Sequence, residues 1–97
     1  MLTYKAMYKS VEGVAHGEVL DVPGTITVGK DLDDARAMLA SALADMAETN
    51  LLAGESLPRP DPSITGPEAD IEEPIHLLLT AANRVQVAPE AVTASRP

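Results

Sequence analysis

The run from Val19 to Leu57 constrains the fold of this 97-residue chain more than any other segment. Its first part reads Val-Leu-Asp-Val-Pro-Gly-Thr-Ile-Thr-Val. Pro23 and Gly24 fit the two central positions of a tight turn, because proline fixes φ near the required value and glycine accepts a positive φ. The residues at 25–28 are all β-branched, which predicts a short strand. A strand, a turn and a second strand are therefore expected ahead of a helix.

That helix is predicted to run from Leu32 to Ala53. Asp31 is a favourable N-cap residue, and the carboxylates of Asp33 and Asp34 suit the positive end of the helix dipole. Gly54 is a natural stop. The apolar residues recur at helical spacing and form one stripe suited to packing on a sheet; they are Leu32, Ala35, Leu39, Ala42, Leu43 and Met46.

Residues 2–9 alternate in character, which is typical of a half-buried strand. A turn is expected at 10–13 and a second extended segment at 14–21, where Gly17 indicates a close approach or a bulge. With the strand at 25–28 they predict an antiparallel meander. The predicted buried set is Leu2, Tyr4, Ala6 and Tyr8, and the predicted solvent-facing set is Thr3, Lys5, Met7 and Lys9.

The rest of the chain differs from this 1–60 β-β-β-α core. Five of the eight prolines lie between Leu57 and Pro74, so residues 61–74 are predicted to form a Pro-rich acidic loop. Residues 75–88 are predicted to add one or more strands, with a helix through Ala82 as the alternative, and residues 89–97 a flexible tail. The fold class is α+β, with an antiparallel sheet of three to four strands and one long helix packed on one face.

The composition narrows the function classes. The net charge is −8, which disfavours binding to nucleic-acid phosphates and suits a basic protein partner; the alternative is a charge that only maintains solubility. Cysteine is absent, which excludes disulfides and cysteine-based metal sites. No apolar run is long enough to span a membrane, and Met1–Lys9 lacks the features of a signal peptide. A cytoplasmic location is therefore expected.

The chain resembles the HicB-family antitoxins over residues 1–60. The resemblance is carried by Tyr4 in the first strand, the Leu20–Gly24 turn, the Ile26–Gly29 strand, the Leu32–Ala35 helix start and the Leu52–Pro58 exit. It implies a partly degraded ribonuclease H-like fold. It also implies a type II toxin–antitoxin role, in which the chain neutralises by direct binding a small basic HicA-like toxin that cleaves mRNA.

The resemblance leaves the second half of the chain less defined. Residues 61–97 show no complete C-terminal DNA-binding module, so DNA binding by this chain is doubtful. The toxin is expected to contact the sheet edge, the acidic 61–74 loop and the 75–80 segment. A homodimer or higher oligomer is predicted from the small core and an exposed strand edge. The candidate partner-binding residues are Glu68, Asp70, Glu72, Glu73 and His76.

Catalytic, cofactor and metal sites are not predicted, and the chain is expected not to be an enzyme. A two-metal nuclease would need several carboxylates on adjacent strands; the candidates are Glu12, Glu18 and Asp21, with surface charges as the favoured interpretation. His16 and His76 supply at best half of a zinc site. The other alternative is a solitary HicB-like domain that binds another protein or a small ligand.

Overall fold

The computed structural model describes residues 2–79 and 85–89. They form an α+β fold whose elements are β1 (Leu2–Val11), β2 (Val14–Val19), β3 (Ile26–Gly29), α1 (Leu32–Leu52), β4 (Ile71–Leu79) and β5 (Val85–Pro89). The strands make one antiparallel sheet in the order β3-β2-β1-β4-β5. The predicted fold class is confirmed, and the short β5 adds a strand to the predicted three to four.

The alternation predicted for the first strand is confirmed on its buried face. Tyr4, Ala6 and Tyr8 of β1 are all buried, and they contribute to a core that α1 covers from one side of the sheet. The opposite face differs at Met7, which was predicted to face solvent but is only 8% exposed. The segment of residues 61–70 covers the Met7 side chain, since a Cβ added at Gly66 would lie 3.6 Å from Met7 Cγ.

The Pro-Gly turn and the helix form as predicted. Gly24 has a φ of +91°, and the Thr25 amide donates to the Val22 carbonyl at 3.2 Å, the pattern of a type II turn. The Asp31 side chain accepts from the Asp34 amide at 2.8 Å and thereby caps α1. The helix buries one stripe against the sheet, formed by Ala35, Leu39, Leu43 and Ala47.

The predicted boundary between loop and strand at residue 75 is wrong. β4 begins at Ile71 and therefore includes the last four residues of the predicted 61–74 loop. Pro74 lies inside the strand, although proline usually interrupts a sheet because it lacks an N–H. It is tolerated because the β4–β5 pairing starts one residue later, at Ile75 opposite Pro89. At Pro74, therefore, β4 has no paired strand residue on the side that faces β5.

The last predicted segments are only partly described. The strand predicted at Ile75–Thr80 is confirmed for Ile75–Leu79, and the helical alternative is wrong there. A further strand is present at Val85–Pro89, so Pro89 belongs to the sheet and not to the predicted 89–97 tail. Residues 90–97 lie outside the described part of the chain, as do residues 80–84.

Candidate partner-binding groove

Residues 58–70, called the strap below, connect α1 to β4 across the sheet. The Tyr4 hydroxyl donates to the Pro58 carbonyl at 2.7 Å. The Lys5 ammonium, on the face of β1 away from α1, donates to the Ile64 carbonyl at 2.7 Å and to the Pro62 carbonyl at 3.3 Å. The strap therefore begins on the α1 side of the sheet, at Pro58, and then runs over the opposite face, where the carbonyls of Pro62 and Ile64 accept from Lys5.

Asp21 joins the strap to the sheet from a buried position. Its side chain accepts from the Lys5 amide and from the Asp61 amide, each at 3.0 Å. The carboxylate is needed because the β1–β2 pairing ends at Ala6 opposite Val19. Beyond that point the Lys5 N–H would otherwise lack a partner on this side. Asp21 is 8% exposed, and it lies after β2, not on the strand as the nuclease hypothesis assumed.

The strap and the sheet enclose an acidic groove, a cavity of about 390 Å³. Hydrogen bonds from the Ser63 hydroxyl at 2.6 Å and the Ser63 amide at 3.1 Å lower the pKa of the Asp61 carboxyl, so it stays ionised. Lys5 Nζ lies 3.8 Å from Glu72 Oε1 and partly offsets the negative charge. The lining residues are Thr3, Tyr4, Lys5, Asp21, Asp61, Pro62, Glu72, Glu73 and Pro74.

The five predicted partner-binding residues do not share one surface. Glu72 lines the groove, and its Oε2 accepts from the Gly66 amide at 3.0 Å. Glu68 is exposed, with Oε2 3.7 Å from Lys9 Nζ. Asp70 lies at the end of the strap, where its side chain accepts from the Ser10 amide at 2.8 Å.

The other two predicted residues lie on β4 itself. Nδ1 of His76 is 3.1 Å from Thr3 Oγ1, on the same face of the strand as Glu72. Glu73 points to the other face, because successive strand residues alternate. Whether any of the five contacts a partner stays a prediction.

Glu73 belongs to a polar cluster between the sheet and α1. Its Oε1 accepts from Arg36 at 2.8 and 3.1 Å, and this hydrogen bond raises the pKa of Arg36. The Arg36 guanidinium lies over the Tyr8 ring, 5.9 Å from its centroid. Burial, and then the Glu73 charge, raise the pKa of Tyr8 to about 12, while Arg36 lowers it. The buried Tyr8 hydroxyl has no hydrogen-bond partner among the described residues.

The alternative metal sites are not assembled in the part of the chain that the structure describes. Residues 2–79 and 85–89 contain no group of three potential ligands close enough to hold a metal ion. His16 pairs with Lys9 and His76 with Thr3 along β1. Lys9 and Thr3 are six positions apart on the strand, or roughly 20 Å at about 3.4 Å per residue, so the two histidines are too far apart to share a zinc ion.

Sequence reasoning missed Asp61 as a groove residue and Asp21 as the residue that holds the strap. No local pattern marks Asp61, because a loop has no periodicity to place its side chains. Glu72 was found because it is one of the closely spaced acids between Glu68 and Glu73. Across the described residues, α1 is the sole long helix, and it is not apolar enough to cross a membrane.

No protein-family model matches the chain, and no curated protein sequence matches it. Function is therefore inferred from the residues of the chain and their arrangement.

Proposed function

We propose that the chain is a HicB-like antitoxin that neutralises a small basic HicA-like ribonuclease by direct binding in the cytoplasm. The acidic groove is the observation that carries the proposal. The carboxylates of Asp61 and Glu72 line this groove, and Lys5 is the one basic side chain among the described residues that line it. The chain as a whole has a net charge of −8. Such a groove suits an arginine or lysine side chain of a partner, which carboxylates bind through charge-assisted hydrogen bonds.

The proposed mechanism is steric and involves no catalysis by this chain. The toxin's basic surface, which would otherwise bind the phosphates of mRNA, is occupied by the antitoxin instead. Acidic side chains speed the encounter between the two proteins, and buried contacts set the lifetime of the complex. The resemblance over residues 1–60, including the implied ribonuclease H-like ancestry, supports this proposal.

The test is to look for a gene beside that of this chain that encodes a small basic protein, and to co-express the two proteins. The neighbour alone is expected to stop growth, and this chain is expected to restore growth and to co-purify with it. A neighbour that is harmless, or that fails to bind, would overturn the proposal. Loss of binding at high salt is also expected, because the attraction is electrostatic.

A charge-matched pair of variants tests the groove itself. Asp61→Asn with Glu72→Gln removes two groove charges but retains the oxygens that accept from Ser63 and Gly66. Asp45→Asn with Glu55→Gln removes two charges at exposed positions elsewhere. The first variant is expected to weaken toxin binding about tenfold or more, a loss of about 1.4 kcal/mol. Equal weakening by both variants would assign the effect to net charge, not to the groove.

A solitary HicB-like domain that binds a small ligand is the second candidate. A second cavity, of about 330 Å³, lies at the start of α1 and is lined in part by Tyr8, Ala15, Leu32 and Ile71. Its lining joins these apolar residues to charged ones such as Lys30 and Asp31, a mixture that is common in small-molecule sites. A harmless neighbouring gene product, together with stabilisation of the pure chain by a metabolite fraction, would favour this candidate.

A further inference from the structure

β3 presents two apolar side chains, called the β3 patch below, on the sheet face away from α1. Ile26 is 59% exposed and Val28 is 48% exposed. They share that face because strand side chains alternate and Gly29 lies against the backbone of α1 on the other one. Polar residues of β2 border them, since Ile26 pairs with Glu18 and Val28 with His16. Adjacent exposed apolar side chains with a polar border are typical of a protein-contact surface.

The β3 patch and the acidic groove lie on one line across the sheet. Met7 of β1 pairs with Glu72 of the groove on one side and with Glu18 on the other. Glu18 pairs in turn with Ile26. Neighbouring strands are about 4.8 Å apart, so the backbone positions of Ile26 and Glu72 are roughly 14 Å apart. The strap, which covers Met7, lies between them.

That separation is smaller than the footprint of a protein partner. A standard interface covers about 800 Å² of each protein, an area roughly 30 Å across. One partner that lies over the strap can therefore contact both the groove and the β3 patch.

The charges at the border of the β3 patch favour a basic partner over an acidic one. The Glu18 carboxylate forms no ion pair with any other described residue, and it lies beside Ile26. The Lys9 ammonium, on the same face of β1, is 3.7 Å from Glu68 Oε2, so its charge is already offset. The border therefore offers a carboxylate to a lysine or arginine of a partner.

We infer that the β3 patch is the apolar half of the toxin-binding surface, and that the toxin spans the strap between the patch and the acidic groove. This inference rests on the proposed function. The partner that fits presents an apolar surface roughly 14 Å from the basic side chain that enters the groove. It contacts side chains on the sheet face and not the backbone edge of β3.

The two halves of this surface have different kinetic roles. Carboxylates of the groove speed the encounter with a basic protein, because charges act at a distance. Ile26 and Val28 act only after docking, when their burial removes apolar surface from water and slows dissociation. Loss of the β3 patch is therefore expected to change the dissociation rate and to leave the association rate nearly unchanged.

The experiment is surface plasmon resonance between the full chain and the small basic protein encoded beside it. Ile26→Thr with Val28→Thr keeps β-branched residues in the strand but makes both side chains polar. This variant is expected to dissociate at least about tenfold faster, with an association rate constant within about twofold of wild type. Met38→Gln with Leu52→Gln is the matched control, since it changes two exposed apolar residues of α1 and should leave both rates unchanged. Circular dichroism confirms that each variant is folded.

A thiol placed in the β3 patch measures its burial directly. The chain contains no cysteine, so Val28→Cys and Met38→Cys each introduce a single site for iodoacetamide. Because labelling requires access to the thiol, labelling of Val28→Cys is expected to be at least about tenfold slower in the complex than in the free chain. Labelling of Met38→Cys should be the same in both.

The outcomes separate this inference from the proposed function. If the wild-type chain does not bind the neighbouring protein, the antitoxin proposal fails and the inference fails with it. If wild type binds but the threonine variant dissociates no faster than the α1 control, the β3 patch alone is refuted. Equal labelling of Val28→Cys in the free and bound chain refutes it as well. Faster dissociation together with slower labelling supports the inference.

Discussion

Replacing each tyrosine with phenylalanine, one at a time, is expected to change stability in opposite directions. Tyr4 and Tyr8 are the only tyrosines of the chain, and both are buried on the same face of β1. The Tyr4 hydroxyl donates to the Pro58 carbonyl at 2.7 Å, whereas the Tyr8 hydroxyl has no partner in the described part of the chain. The same substitution thus removes a hydrogen bond at one site and an unpaired polar group at the other.

The structure sets the expected magnitudes. Tyr4→Phe loses one hydrogen bond between strap and sheet, which is worth about 1 kcal/mol of unfolding free energy. Tyr8→Phe removes a buried hydroxyl whose unpaired state costs about 1–3 kcal/mol, and the ring keeps its contact with Arg36. We therefore expect Tyr8→Phe to be about 1 kcal/mol more stable than wild type. For a domain of this size, 1 kcal/mol corresponds to about 4–8 °C in Tm.

The assay is urea unfolding, followed by circular dichroism, of wild type, both single variants and the double variant. The difference between the single variants is expected to be about 2 kcal/mol. Because the two sites are far apart, we expect the change in unfolding free energy of the double variant to equal the sum of the two single changes. If Tyr8→Phe destabilises the protein as much as Tyr4→Phe does, the reasoning is refuted, because the Tyr8 hydroxyl must then have a favourable partner.

The alkaline behaviour of Tyr8 gives a second readout from the same variants. Its pKa is raised to about 12, chiefly by burial and then by Glu73, from an ordinary value of about 10. The folded state therefore favours the neutral phenol. This contribution is fully present below pH ~10 and is lost as pH rises to about 12, at about 1.4 kcal/mol per unit, or roughly 3 kcal/mol in all. Tyr8→Phe is expected to show a smaller alkaline loss of stability than Tyr4→Phe. An equal loss would contradict the assignment to Tyr8.

Three further substitutions test how the elements are held together. Asp21→Ala leaves the amides of Lys5 and Asp61 without an acceptor, so we expect a loss of about 2 kcal/mol or more in urea unfolding and faster hydrogen exchange at Asp61. Unchanged exchange would contradict the role of Asp21 in holding the strap. Gly29→Ala would place a Cβ 2.5 Å from the backbone nitrogen of Ala35, and a loss of about 1–3 kcal/mol is expected from overpacking; a neutral result would mean that α1 can shift. Asp31→Ala removes the helix cap and is expected to cost about 1 kcal/mol, with Asp31→Asn nearly neutral as its control.

The elements that the sequence predicted well are those whose residues satisfy a local rule. The alternation of residues 2–8 predicted which face of β1 is buried, because strand side chains alternate whatever the neighbouring strand is. Asp31 and Gly54 predicted the ends of α1, because a helix terminus has unpaired backbone groups that a cap must satisfy. Gly17 was correctly associated with a close approach. A Cβ added at this position would lie 3.0 Å from the Tyr8 ring. The pairing of Gly17 with Tyr8 is regular, without a bulge.

The errors arose where the outcome depends on distant residues. Pro74 was taken as the limit of a strand, but whether proline fits depends on which side of the strand is paired, and β5 leaves that position open. Glu72 and Glu73 were both assigned to the acidic 61–74 loop. Once β4 extends back to Ile71, alternation separates them, and Glu73 falls on the buried face with Ile71 and Ile75. A carboxylate among the residues of a buried strand face indicates that a basic side chain lies opposite it. Here that side chain is Arg36 of α1.

The strap changes how the proposed binding should be understood. The sequence predicted that the toxin contacts the 61–74 loop, and a flexible loop would reduce affinity by the cost of ordering it on the partner. In the structure, contacts at Tyr4, Lys5 and Asp21 already hold the strap, so a partner would meet a groove that is preformed. Lys5 Nζ already lies near Glu72 in that groove. A basic side chain of the toxin must therefore compete with Lys5, and specificity depends on whether it forms better hydrogen bonds than the lysine it displaces.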